Sequence, residues 1–356
     1  MKKKKIISVI GARPQFIKAA PLTRKLRQVY TEKIIHTGQH YDRNMSDLFF
    51  KELKIPRPDY NLGVGSGTHG EQTGKMLIQI EGILLKEKPD LVIIYGDTNS
   101  TVAGALAAVK LHISVAHVEA GLRSHNRKMP EEHNRIVSDH VSDLLFVPSR
   151  IGMDNLKREG LSDKAYLVGD IMYDALLENI KIAGKRSQIC RDHDVCINDY
   201  YLATVHRPAN TDNAKNLKNI LQALSSLDLK VIFPVHPRTK KFIKHHNLKW
   251  NTDKILMIDP IGYLDILNLT LHARRVLTDS GGLQKEAFYL KKEVVVLREE
   301  SEWKELVQYG WTRLAGADRS KIVKFTVGNF RKKPFFYPYG KGDTSEKIIQ
   351  VLRKFL

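Results

Sequence analysis

A chain of 356 residues is long for one compact domain, so two domains of about 100–200 residues each are expected. Lys and Arg number 58 against 39 Asp and Glu, but they are scattered along the chain with no aromatic-interleaved basic patch. That argues against a nucleic-acid partner and for a lysine-rich composition, with attraction of an anionic substrate a second contribution.

No apolar run reaches the roughly 18 residues of a membrane span. The short run at 6–10 behind the basic N-terminus is too brief for a signal peptide and reads as a first strand. Cys190 and Cys196 read as reduced thiols of a cytoplasmic protein.

In the first half, β-branched runs predict strands at 5–10, 33–37, 91–95, 114–118 and 144–147, with Val168 ending another. Amphipathic stretches predict helices at 16–29, 43–53, 71–87, 100–111, 130–141 and 151–159. Strands alternating with helices imply βαβ units and a parallel sheet. Ligands of such sheets bind beyond the strands' carboxyl ends, so the loops there are the places to look.

After the first strand, Gly11-Ala12-Arg13-Pro14-Gln15 permits a tight turn into a helix, and Arg13 and Lys18 offer positive charge to an anion. Lys18 reads equally as a solvated helix residue. Tyr95-Gly96-Asp97-Thr98-Asn99-Ser100 puts a carboxylate at a strand end, where it is either catalytic or a helix cap. His117-Val118-Glu119-Ala120-Gly121-Leu122-Arg123 is followed by Pro130-Glu131-Glu132-His133-Asn134-Arg135. Acids in a helix's first turn suit the macrodipole. Three carboxylate sites converging on one cleft suit proton transfer, since grouped carboxylates raise one another's pKa.

A polar stretch at 181–198 separates the halves, and the alternation then restarts. Strands are predicted at 200–204, 231–235, 254–258, 275–277 and 293–297. Helices are predicted at 214–224, 264–271, 282–290, 304–309 and 344–356. Two strand-end His-Arg pairs occur, His206-Arg207 and His236-Pro237-Arg238. Thr278-Asp279-Ser280-Gly281-Gly282 leads a strand into a helix, where bare backbone N–H groups meet a phosphate closely. Glu286, one turn in, is placed to accept a ribose's hydroxyls. Neither a Walker A loop nor a dinucleotide fingerprint is present.

Together these segments resemble the non-hydrolysing UDP-N-acetylglucosamine 2-epimerase family. The resemblance rests on Gly-x-Arg-Pro with Lys18, His36-Thr37-Gly38-Gln39-His40, Gly96-Asp97-Thr98, the 117–123 and 130–132 motifs, His206-Arg207 and the 278–282 loop. It implies an α/β chain of two facing Rossmann-like, doubly wound domains, the glycosyltransferase B-type fold. One domain spans 1–172 and is completed by a crossover helix at 344–356; the other, UDP-binding, spans 173–343. It implies C2 epimerisation through UDP elimination and re-addition, in a cytoplasmic homodimer, with no cofactor, metal, nucleic acid or membrane insertion. A glycosyltransferase on the same fold is the more distant alternative.

By the resemblance, Asp97, Glu119 and Glu131 are the acid/base candidates, and His206 assists departure of the diphosphate. Arg13, Ser280, Gly281 and Gly282 would contact the diphosphate, Glu286 the ribose, Lys18 the sugar side. Arg135 and His236 complete the substrate-binding set. A second, regulatory UDP-sugar site would involve Gln39 and His236. Because Asp42 and Lys75 replace Gln and Arg there, weak or no activation is expected.

The chain departs from the family pattern at Gln15 (often Glu), at Ala209 (usually acidic) and across Arg298-Glu299-Glu300-Ser301-Glu302-Trp303-Lys304-Glu305. These departures resemble a sister group that acts on UDP-2,3-diacetamido-2,3-dideoxyglucuronate. A neutral Gln15 facing the sugar would spare a uronate's carboxylate one like charge.

Overall fold

The computed structural model describes residues 3–39 and 55–356. The helix expected at 43–53, with His40 and Asp42, lies outside the described residues. The chain divides into two compact units, Met1–Glu178 with Tyr337–Leu356, and Asn179–Phe336.

Among the described residues the first unit carries seven parallel strands: β1 (Lys5–Ile10), β2 (Thr31–His36), β3 (Tyr60–Asn61), β4 (Leu91–Tyr95), β5 (Ser114–Val118), β6 (Leu144–Val147) and β7 (Ala165–Leu167). Their order across the sheet is β3-β2-β1-β4-β5-β6-β7. Its helices are α1 (Arg13–Val29), α2 (His69–Glu87), α3 (Asn99–Lys110), α4 (Pro130–Val141), α5 (Arg150–Arg158) and α6 (Ile171–Arg186), which runs past the unit boundary. The central strands are continuous apolar runs because helices cover both faces of a parallel sheet; every residue of β4 is buried. Helix α1 starts three residues before the predicted 16–29, since Pro14 sits in its first turn, where no N–H is needed.

The second unit carries β8 (Tyr200–Thr204), β9 (Lys230–Pro234), β10 (Ile255–Ile258), β11 (Arg275–Thr278), β12 (Val294–Val296) and β13 (Thr312–Leu314), ordered β10-β9-β8-β11-β12-β13 and all parallel. Its main helices are α7 (Ala214–Ser225), α8 (Pro237–His245), α9 (Tyr263–His272), α10 (Gly281–Tyr289) and α11 (Arg319–Val327). Successive β8 side chains enter opposite cores. Tyr201 and Ala203 pack with the face that holds Leu217 and Leu221, while Tyr200 and Leu202 pack with the face that holds Ala287 and Leu283.

The last helix, α12 (Thr344–Phe355), belongs to the first unit. Lys25 of α1 reaches Glu346 at 2.7 Å, and Asp174 of α6 accepts from the Thr344 and Ser345 N–H groups at 3.1 and 2.8 Å, capping α12. No described helix is long and apolar enough to cross a membrane.

Glu87, the last residue of α2, ties three strands together. It accepts from Lys33 at 2.9 Å, from Lys5 at 3.2 Å and from the Tyr60 hydroxyl. Hydrogen bonds from Tyr60 and Lys33 hold its carboxyl down at about 2, against burial. A depressed folded-state pKa contributes stability that is complete above the unfolded value, about 4.3, and is lost as pH falls through the folded one. Glu87→Gln is therefore expected to lower the urea midpoint at neutral pH. The gap from wild type should close as the pH drops from about 5 towards about 2, and a pH-independent gap would contradict the assignment.

Candidate active site

In both sheets the strand order reverses at one point, between β1 and β4 and between β8 and β11. Crevices for ligands open at such points. The loops after β1, β4 and β5 hold the first unit's polar groups; the loops after β8 and β11 hold the second's.

In the first unit, Tyr95 and Val118 are paired in register, so Asp97 and Glu119 leave the ends of adjacent strands. Asp97 accepts two hydrogen bonds from Arg135 of α4, at 2.7 and 3.0 Å, and its main-chain carbonyl accepts from Asn134 at 3.0 Å. Glu119 accepts from Lys18 of α1 in a pair with both side chains largely buried. Lys18 is thus an ion-pair partner within the site rather than a solvated surface residue. Gly96 lies beneath that pair: its φ is +66°, and a Cβ there would sit 3.2 Å from Lys18 Nζ. Glu119 itself has a φ of +74°. A non-glycine residue held there stores on the order of 1–3 kcal/mol, a kind of strain that clusters at functional sites.

Helix α4 presents Glu132, Arg135 and Asp139 at i, i+3 and i+7, one face of the helix. Glu132 is buried; it accepts from the Ser124 and His125 N–H groups at 2.8 and 2.9 Å and from Arg135 at 2.7 Å. Burial pushes its carboxyl up, but these bonds outweigh it and hold the pKa below the usual range. Burial likewise opposes the Arg135 charge, and Asp97 and Glu132 more than restore it. Glu131 is half-exposed and makes no side-chain hydrogen bond among the described residues. Sequence reasoning gave Glu132 only a first-turn place in the 130–132 motif and Asp139 no role. The polar stripe at helical spacing was the signal for both.

Gln15 corrects the sequence argument about substrate. Its side chain is buried and does not face outward. Oε1 accepts from the Gly11 and Ala12 N–H groups at 2.8 and 2.9 Å, and Nε2 donates to the Tyr95 carbonyl at 2.8 Å and to Thr101 at 3.1 Å. It laces β1 to β4 at the start of α1, so its amide is spent on the main chain and Thr101. Gly11 beside it admits no side chain, since a Cβ would fall 1.9 Å from Thr37 Oγ1. Gln15→Glu should therefore leave the ratio of kcat/KM for the two candidate sugars unchanged within about twofold. It should destabilise the chain by about 1–3 kcal/mol, because a buried carboxylate oxygen would then face the Tyr95 carbonyl, acceptor against acceptor. A shifted preference for one sugar would restore the discarded reading.

Gln39 also has a structural occupation: Oε1 accepts from the Ser100 N–H at 3.1 Å and its hydroxyl at 2.7 Å, at the first turn of α3.

In the second unit, fully buried Asp279 organises the loop after β8. It accepts from the His206 and Arg207 N–H groups at 3.1 and 3.0 Å, from Asn210 at 3.0 Å, and faces His206 Nδ1 at 3.3 Å. That commits one ring nitrogen of His206 to the carboxylate. The His236 ring lies 5.9 Å from that of His206 and caps α8, its Nδ1 accepting from the Arg238 N–H at 3.2 Å.

Ser280 caps α10, so the N–H groups of Gly281 and Gly282 open this helix in the arrangement that attracts phosphate. Trp303 Nε1 donates to the Gly281 carbonyl at 2.8 Å and braces the loop, while Lys285 Nζ stands 4.1 Å from the Trp303 ring centroid. Glu302 is paired with Arg298 at 2.9 and 3.0 Å. Buried Glu286 accepts from the Tyr263 hydroxyl at 3.0 Å, which fixes the carboxylate one turn inside the helix. Among the described residues no group of three or more His, Cys, Asp or Glu side chains is arranged to hold a metal.

Comparison with known proteins places this geometry. The model of the UDP-N-acetylglucosamine 2-epimerase family matches residues 24–353. A UDP-N-acetylglucosamine 2-epimerase homolog of Methanococcus maripaludis is 51% identical, over 98% of this chain and 99% of its own. The UDP-2,3-diacetamido-2,3-dideoxy-D-glucuronate 2-epimerase of Pseudomonas aeruginosa is 46% identical, over 98% of this chain and 99% of its own. Among solved structures, Methanocaldococcus jannaschii UDP-GlcNAc 2-epimerase in complex with UDP-GlcNAc and UDP superposes with a TM-score of 0.87, at 46% identity, covering 98% of this chain and 99% of that one. Fold, motifs and whole-length similarity agree: this chain belongs to the UDP-N-acetylglucosamine 2-epimerase family.

Proposed function

We propose that the chain interconverts UDP-GlcNAc and UDP-ManNAc, by eliminating UDP and adding it back. A base takes the C2 proton, the C–H pair becomes the C1=C2 bond of a 2-acetamidoglucal, and the C1–O bond breaks with its electrons leaving on UDP. Protonation of C2 from the other face and return of UDP to C1 complete the inversion. The observation that carries this reading is the pair of carboxylates, Asp97 and Glu119, each with its own cation, at the ends of neighbouring strands. Two carboxylates on separate supports suit one proton removal and one proton delivery.

In this reading Arg135 holds Asp97 and Lys18 holds Glu119. Glu131 is a further acid/base candidate, and Arg13 a contact to the diphosphate. The α10 N-terminus with Ser280, Gly281 and Gly282 receives the diphosphate, Glu286 the ribose, and His206 the departing oxygen, with His236 beside it. A cytoplasmic homodimer belongs to the same reading. Ile78 and Leu85 on α2, which remain 72% and 56% exposed, support the dimer alone, as apolar side chains a second copy could cover.

Incubation with UDP-GlcNAc alone should yield a mixture of the two epimers and no free sugar. Free sugar with UDP would mark a hydrolysing enzyme instead, and turnover only with an added acceptor would mark a glycosyltransferase. The 46% identical Pseudomonas relative supports a second reading, the same chemistry on UDP-2,3-diacetamido-2,3-dideoxyglucuronate. The two sugars supplied side by side separate these readings by kcat/KM.

A further inference from the structure

His117 lies in β5, wholly buried, two residues before Glu119, and the proton chemistry above gives it no part. Both its ring nitrogens are engaged: Nε2 meets the Gly96 carbonyl at 2.7 Å and Nδ1 meets Asp139 Oδ1 at 2.7 Å. A carbonyl only accepts, so Nε2 donates. Asp139 also takes Arg123 at 2.7 Å and the Gly121 N–H at 3.1 Å on its other oxygen. On its Nδ1 side the ring is held by wholly buried Asp139, so its orientation is fixed and Nε2 is aimed at the Gly96 carbonyl.

The Gly96 carbonyl it grips belongs to the residue that turns the chain, at φ +66°, into Asp97, and that lies under the Lys18–Glu119 pair. The charged groups around it are Asp139 from α4, Arg123 from the loop after β5, Glu159 (which holds Arg123 at 2.6 and 2.7 Å), Lys18 from α1 with Glu119, and Arg135 with Asp97 and Glu132.

We propose that His117 is a positioning residue: a buried ring, held by Asp139, that pins the Gly96 peptide through its Nε2–H and so sets Asp97 and Glu119 at their working separation. This rests on the epimerase reading above. Without that donor the Gly96 carbonyl would lose its bond to the ring and the turn into Asp97 would be free to shift. Displacements of about 1 Å cost on the order of 10²-fold in rate.

The test labels the histidines of the full-length protein with 15N and records which ring nitrogens carry hydrogen. One histidine should carry an Nε2–H that exchanges slowly with solvent, as a wholly buried, hydrogen-bonded N–H does, and that signal should vanish in His117→Gln. The variant should lose on the order of 10–100-fold in kcat with KM unchanged within about threefold. A His117 Nε2 without hydrogen, or a folded His117→Gln with wild-type kcat, would overturn the proposal. Should the variant not fold, the wild-type spectrum decides alone. Failure of the underlying reading looks different, since a wild type that exchanges no C2 hydrogen sinks the epimerase assignment. A bare Nε2 in an exchanging wild type sinks only this inference.

Discussion

Asp97→Asn and Glu119→Gln are each expected to slow exchange at C2 by on the order of 10²–10⁴-fold, the usual worth of a positioned acid or base. Each substitution is nearly isosteric and leaves untouched the second unit's groups proposed to bind UDP, so UDP affinity should stay within about threefold of wild type. The two variants should differ in stability. Asp97 is about one-third exposed, and its partner Arg135 keeps a second carboxylate, Glu132. Glu119 and Lys18 are both largely buried, so the glutamine leaves an ammonium without its charge partner while keeping the left-handed backbone. Glu119→Gln should therefore be the less stable of the two. Exchange within about threefold of wild type for either variant would return that residue to a helix-capping or purely structural role.

Arg123→Met is expected to lower stability by about 3–5 kcal/mol, the largest effect anticipated outside the proposed proton-transfer groups. Arg123 is 2% exposed, holds Glu159 through two hydrogen bonds and pairs with wholly buried Asp139. Burial opposes the guanidinium charge, but Glu159 and Asp139 together raise its pKa above the ordinary value. Removing one member of such a group strands a buried charge, which is far more damaging than never having built the pair. Urea unfolding should show a lower midpoint at unchanged slope. A stability within about 0.5 kcal/mol of wild type would mean that His117 and the Gly121 N–H suffice for Asp139 without Arg123.

The sequence was most legible where helices cover both faces of a sheet. β1, β4, β5, β6 and β8 fall on the residues that their β-branched runs predicted, because central parallel strands need apolar side chains on both faces. Edges were harder. β3 and β13 are two and three residues long, too short for a period to show, and exist because a neighbouring strand offers them partners. Helix α8 was missed because its sequence is mostly basic, with Ile243 its one buried apolar side chain. Helix α6 was missed at the junction, where its polar second half reads as a linker.

The site shows the same division. Loops rich in Gly, Asp, Glu and Ser at strand ends could be picked out from sequence because their chemistry is local. What each side chain does there depends on groups far along the chain. Gln15 looked like a substrate-facing position until its amide was found between Gly11 and Tyr95, 80 residues apart from it in the second case. Asp279 stood in a recognised loop without a task, and its task is to fold the loop of His206, 73 residues earlier.

The most direct test of the central claim is to incubate the purified protein with UDP-GlcNAc in deuterated water and follow C2 by NMR. Elimination and re-addition require every inversion to pass through loss of the C2 hydrogen, so product should carry deuterium at C2, and recovered substrate should gain it as equilibrium is approached. Conversion to the epimer with the C2 hydrogen fully retained would contradict the proposed chemistry, and neither conversion nor exchange with either candidate sugar would contradict the assignment itself.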